Sequence, residues 1–225
     1  MKDLLTKAMF IYKCAMDKKS RLHGGSVQYI NQHSLIWGIS SQINPMGGHT
    51  KGVCHGLAVE WLKAVSKGED FIHALGNARN QLFADSKNLN SQTDSFFRTI
   101  NDSHSQQNRD PEIDEKLLLT ALEKVGKKVD KKAFKFPFTN AKSFLENGFF
   151  YFISTGSHAM AATSDRKSFE WNGKVTFYDP NVGLLTGTSK AFLEDYLKEC
   201  VVETCNLAGG NPSEKSLTIT KFKYI

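Results

Sequence analysis

A sulfur, an imidazole and a carboxylate stand in three separate blocks of this 225-residue chain. The first is Gly52-Val53-Cys54-His55-Gly56-Leu57-Ala58-Val59-Glu60-Trp61-Leu62, the second Gly156-Ser157-His158-Ala159-Met160-Ala161-Ala162, and the third Phe177-Tyr178-Asp179-Pro180-Asn181-Val182-Gly183. Cys54 stands where a helix would begin; the first N–H groups there have no internal partner and lie at the positive end of the dipole. A thiol so placed is biased toward thiolate, the form that attacks carbonyl carbon. Gly52 and Gly56 would let a substrate backbone approach the sulfur closely. His158 could take and return a proton, and Asp179 could orient the imidazole and stabilise its charge. Each residue also has a structural reading: a small core cysteine, a satisfied core histidine, and an Asp-Pro pair that starts a turn.

Bringing the three together is the task of the elements that carry them. Leu57, Ala58, Trp61, Leu62 and Val65 recur at helical intervals, which predicts an amphipathic helix from Cys54 to about Lys67. Phe149–Ser154, His158–Thr163 and Lys174–Tyr178 are short and β-prone, and Pro180 ends the last of them. If the second and third strands are antiparallel neighbours, setting His158 opposite Asp179 also pairs Ala161 with Thr176 and Thr163 with Lys174. Both site side chains then leave one face. Asn172-Gly173 favours a different register through a two-residue hairpin turn, which would move Asp179 away from His158. The chemistry favours the first register, and that is the one expected.

Further helices are expected over residues 3–17, from Asp70 through Leu82, from Asp110-Pro111 through Val125, and over 190–199, with a short one from Thr139 to Leu145. Leu217–Tyr224 is expected to be the final strand. Residues 20–50 are expected to be loop or extended, and the polar stretch 86–110 an exposed loop. Helices first and strands afterwards predict a single α+β domain over 1–225, with an antiparallel sheet and a helical, extended lead-in over 1–45.

Composition narrows the setting. A 40% hydrophobic, 23% charged chain is an ordinary globular one, and no apolar run approaches the roughly 20 residues of a membrane span. Lys13 and Asp17 interrupt Ala8–Met16, so the N-terminus does not read as a secretory signal. Cysteines 14, 54, 200 and 205 form no CxxC pair, which fits reduced thiols in a cytosol. A net charge of +6 favours anionic partners. The run Lys124, Lys127, Lys128, Lys131, Lys132 and Lys135 is either a solvated face or a patch for an anionic membrane surface or an acidic partner. No aromatic interleaving supports nucleic-acid binding. Cys54, His55, Cys200 and Cys205 lack zinc-ligand spacing, so neither metal nor cofactor is expected.

The three blocks resemble those of the YopT-type cysteine proteases, bacterial effector and toxin domains delivered into host cells. The resemblance spans about residues 45–200 and is most specific in His-Ala and in Phe-Tyr-Asp-Pro-Asn-x-Gly. It implies a papain-like fold, with Cys54 as nucleophile, His158 as general base and then acid, and Asp179 orienting His158. It also implies a signal-peptide-independent route out of a bacterium, action in the host cytosol, and a host protein substrate such as a lipidated small GTPase. Papain-like oxyanion holes add a side-chain donor upstream of the nucleophile; His49 ranks first by spacing, then Asn44 and Gln42. His55 should leave the helix in another direction and is read as structural. The same triad would serve a deamidase, a transglutaminase-like toxin or an acyltransferase, since all share a thioester. A non-enzymatic module that uses only the lysines is the remaining alternative.

Overall fold

The computed structural model describes residues 2–30, 53–85, 88–105, 111–123, 129–137, 145–155, 158–164, 175–188, 190–207 and 216–224. In chain order the elements are α1 (Lys2–His23), β1 (Ser26–Tyr29), α2 (Cys54–Lys67), α3 (Phe71–Ala84), α4 (Ser91–Ser105), α5 (Pro111–Glu123), β2 (Val129–Pro137), β3 (Phe150–Ser154), β4 (Ala159–Ser164), β5 (Val175–Asp179), β6 (Gly183–Thr188), α6 (Lys190–Leu207) and β7 (Ser216–Tyr224). Among the described residues no helix is long and apolar enough to cross a membrane.

Strands β3, β4 and β5 are buried at nearly every position, so both faces of the sheet are covered. The sheet has seven strands in the order β1-β6-β5-β4-β3-β7-β2, every neighbouring pair antiparallel. On one face Phe152, Ala159, Ala161, Tyr178 and Phe222 pack against residues of α2 to α5. On the other, Tyr151, Ile153, Met160, Phe177 and Ile219 pack against Ala15 and Met16 of α1 and against Phe192, Leu193, Tyr196 and Leu197 of α6. His158 directly precedes β4 and Asp179 ends β5, and both strands lie in the middle of the sheet.

The helix that carries Cys54 spans the residues expected, but it is buried on more than one stripe: in α2, Cys54 through Val59, Trp61, Leu62 and Ala64 are all shut from solvent. Its position explains why. It is roofed by α4, which occupies most of the stretch expected to be an exposed loop over 86–110 and buries Thr93, Phe97, Ile100 and Ser103. The sequence Ser91-Gln92-Thr93-Asp94-Ser95 is too polar to announce a core element, but a helix needs only one apolar stripe once a partner exists. Asn90 caps this helix by accepting the Thr93 N–H at 2.8 Å. Gly56 is part of the same contact: a Cβ there would sit 2.1 Å from the Ile100 carbonyl oxygen. The glycine therefore admits α4, and the expectation that it opens space for substrate is corrected.

Other differences follow from tertiary contacts. Strands β2 and β6 were not anticipated, β1 falls in the stretch expected to be loop or extended, and α1 and α6 run longer than their periodic cores. Asp70 does cap α3, accepting the His73 N–H at 2.9 Å, and Gly68 ends α2 at φ +77°. The short helix expected from Thr139 falls mostly outside the described residues.

Candidate active site

Two small residues and two rings fix how α2 lies on the sheet. Ala159 and Ala161 of β4 share one buried cluster with Leu57 and Ala58 of α2, and such short side chains let a helix approach a strand closely. Further along, Trp61 stacks on Tyr178 of β5 at 5.8 Å. The result sets the N-terminus of α2 against the start of β4, with Cys54 beside His158.

The register between β4 and β5 differs from the one expected. Ala161 pairs with Tyr178, Ala162 with Phe177 and Thr163 with Thr176, a displacement of two residues. A shift of two keeps every side chain on its original face, so the apolar pattern cannot distinguish the registers. Complementary size can: each large ring of β5 lies beside an alanine of β4. Asp179 and His158 therefore meet diagonally rather than directly across the ladder.

They meet closely all the same. His158 donates from Nε2 to Asp179 Oδ1 at 2.8 Å, with both side chains buried. The ring also hydrogen-bonds the Cys54 sulfur; with Nε2 engaged by Asp179, Nδ1 is the nitrogen left for it. The N–H groups of Ala159 and His55 also donate to the sulfur. Burial pushes the Cys54 thiol up, but the hydrogen bond and charge of His158, with those two N–H groups, outweigh it and leave the thiol below its ordinary value. Burial likewise pulls His158 down, yet the Asp179 carboxylate and then the Cys54 sulfur raise it to about 10. Thiolate beside imidazolium is the state this geometry favours, and it supplies a nucleophile and a proton donor in one contact.

Side chains outside the expected set complete the surroundings. Tyr196 of α6 donates to Asp179 Oδ2 at 2.6 Å, and the Asn181 N–H donates to Oδ1 at 2.8 Å. The Asn181 amide nitrogen lies 3.2 Å from His158 Nε2 and 3.5 Å from Nδ1. Being nearly equidistant from both nitrogens, it sits over the ring rather than in line with either. Thr155 fixes the turn before β4: its N–H donates to the His158 carbonyl at 2.9 Å, and its Oγ1 accepts the His158 N–H at 3.1 Å. Asn181 stood in a motif block without an assigned role. Tyr196 had one visible signal, a lone hydroxyl in the apolar stripe Phe192, Leu193, Tyr196, Leu197.

His55 turns away from the reaction centre and packs edge-on against Phe152, with ring centroids 5.1 Å apart. Burial, with the charge of His104, lowers its pKa to about 4, so it is a neutral ring at ordinary pH. Gln42, Asn44 and His49 lie outside the described residues, as do Lys124, Lys127 and Lys128. Lys131, Lys132 and Lys135 are on the edge strand β2, where Lys131 pairs with Phe222, Lys132 with Lys221 and Lys135 with Thr218. Among the described residues no group of His, Cys, Asp and Glu could hold a metal ion.

Comparison with known proteins adds a family to this geometry. The Peptidase C58 family, described as Yersinia/Haemophilus virulence surface antigen, matches residues 17–224. No curated protein matches the chain significantly. Among solved structures, PatoxP, a cysteine protease-like domain of the Photorhabdus asymbiotica toxin PaTox, is similar with a TM-score of 0.51 at 12% identity, over 96% of this chain and 60% of that one. The Pseudomonas avirulence protein AvrPphB gives a TM-score of 0.49 at 15% identity, over 88% of this chain and 97% of that one. The α+β fold is thus the papain-like one expected, with helices leading into an antiparallel sheet.

Proposed function

The chain belongs to the Peptidase C58 family of cysteine proteases, and on that premise we propose that it is a virulence effector endopeptidase that cuts a host-cell protein. In this reading Cys54 is the nucleophile, His158 the general base and acid, and Asp179 the group that orients His158. The observation that carries it is the unbroken order of hydrogen bonds from sulfur to imidazole to carboxylate.

The chemistry follows from that order. Thiolate Sγ of Cys54 attacks the scissile carbonyl carbon, and its electron pair moves onto the carbonyl oxygen. The backbone N–H of Cys54, at the start of α2 where no side chain caps the helix, is available to donate to that oxyanion. Collapse of the tetrahedral intermediate expels the amine, which takes the Nδ1 proton of His158, and leaves a thioester. Neutral His158 then accepts a proton from water as the hydroxide adds to the thioester, and release of the acid restores thiolate and imidazolium. Throughout, Asp179 holds Nε2–H and offsets the charge of the ring.

The substrate class proposed is a lipidated small GTPase in the host cytosol, reached after export by a route without a signal peptide. Docking at an anionic membrane surface through Lys124, Lys127, Lys128, Lys131, Lys132 and Lys135 belongs to the same proposal. The test incubates wild-type protein and Cys54→Ala with host lysate and labels new protein N-termini. Cys54-dependent termini are expected; if wild type and variant yield the same set, proteolysis is excluded. A mass change on a substrate without chain cleavage would point to transfer or deamidation at the same thioester.

A further inference from the structure

Two tyrosines are fully buried beside the site, on opposite faces of the sheet. Tyr178 lies on the α2 side between Trp61 and Phe71, and its hydroxyl is buried without a hydrogen-bond partner among the described residues. Tyr196 lies on the α6 side, held by Phe192 and Phe177, and its hydroxyl is spent on Asp179 Oδ2 at 2.6 Å. Resting on the Cys54–His158–Asp179 assignment above, we infer that Tyr196 is a positioning residue for catalysis, acting through Asp179.

The carboxylate of Asp179 takes three donors: His158 Nε2 and the Asn181 N–H on Oδ1, and Tyr196 on Oδ2. The first two alone leave it free to swing about the Oδ1 contact. The phenol on the far oxygen fixes its rotation, so Oδ1 stays in line with Nε2. Among the described residues it is also the one donor on Oδ2, and a buried carboxylate oxygen left without a donor is more readily turned toward another partner. Such a turn weakens the hold on His158, and with it the contact between His158 and Cys54. The ring of Tyr196 is at the same time part of the core formed by α1 and α6. That layer, on the side of the sheet away from the nucleophile, thereby takes part in setting the reactivity of the sulfur.

The experiment measures the rate of Cys54 carboxamidomethylation by iodoacetamide against pH, followed on the Cys54 peptide by mass spectrometry. It needs no substrate. Tyr196→Phe keeps the ring and removes only the oxygen; its acid limb is expected to move up by about one pH unit, a tenfold loss of rate at a fixed acid pH. Tyr178→Phe removes a hydroxyl without an acceptor, and its profile should overlie that of the wild type. In an Asp179→Asn background Tyr196→Phe should add no further shift. A Tyr196→Phe profile equal to wild type overturns the inference, as does an equal shift in both tyrosine variants. Should Tyr196→Phe not fold, the wild-type protein is tested instead: a slowly exchanging hydroxyl proton of Tyr196 is expected by NMR and must vanish in Asp179→Ala, and its absence from the wild type overturns the inference. The underlying triad is tested separately, because it fails only if His158→Ala leaves the Cys54 profile unchanged.

Discussion

At the scale of single residues the decisive quantity is the shared proton of Cys54 and His158. Burial alone would make the sulfur a poor nucleophile; it is the imidazolium, itself supported by Asp179, that reverses the sign. Activity should therefore follow a bell in pH. Its acid limb reports protonation of the thiolate and lies below the about 8.5 of a free thiol. Its alkaline limb reports loss of the His158 proton, near about 10. Replacing His158 by Ala removes the lowering influence and keeps the burial, so the thiol titration should move to or above the free value, measured by alkylation rate. Asp179→Asn keeps the size of the side chain but cannot hold an imidazolium; turnover should fall by roughly 10²–10⁴-fold, with a smaller change in KM.

At the scale of elements two glycines decide whether the site assembles. Gly183 adopts φ +141°, and a Cβ there would lie 2.1 Å from the Gln28 carbonyl oxygen of β1. It closes the turn that begins when the Val182 N–H donates to the Asp179 carbonyl at 2.9 Å. Gly183→Ala should cost roughly 1–3 kcal/mol from backbone strain, with added clash, and should lower activity by displacing Asp179 and Asn181. Gly56→Ala forces α2 and α4 apart and should cost about 1–3 kcal/mol or more by overpacking. Gly76 of α3 has nothing within 4 Å of its added Cβ. Gly76→Ala is thus the contrasting case and should stabilise by about 0.5–1 kcal/mol. Urea unfolding of the three variants checks the signs. Neither demanding glycine could be interpreted from its own neighbours in the chain: one needs the backbone of β1, the other that of α4.

For the whole molecule, stability should depend on pH through His55, which is sealed under α4 and against Phe152. Its folded pKa, about 4, lies below the ordinary 6.5. The unfolded chain therefore binds this proton first: the contribution is complete above about 6.5, declines as pH falls, and levels off below about 4. The span corresponds to roughly 3 kcal/mol at most. His55→Leu should show a shallower loss of unfolding free energy between those pH values, whatever its stability at neutral pH. If the two slopes agree, His55 is not buried as a neutral ring. The three-layer arrangement, with helices on both faces of the sheet, makes such sealing possible in a chain of ordinary hydrophobic content.

What the chain announced by itself was local. Cys54 at a helix start, His158 before a run of small residues and Asp179 before proline are signals carried by a few adjacent residues, as are the short β-prone runs that form β3, β4, β5 and β7. The conversion of 91–105 from polar stretch to roofing helix, the two-residue offset between β4 and β5, and the Tyr196 hydroxyl on Asp179 depended on the tertiary structure. In each case local pattern was degenerate: a weak stripe suits loop or helix, a shift of two preserves every face, and a core tyrosine resembles a core phenylalanine. Contact with a distant partner removed the degeneracy, because packing size and hydrogen-bond satisfaction are properties of pairs and not of positions.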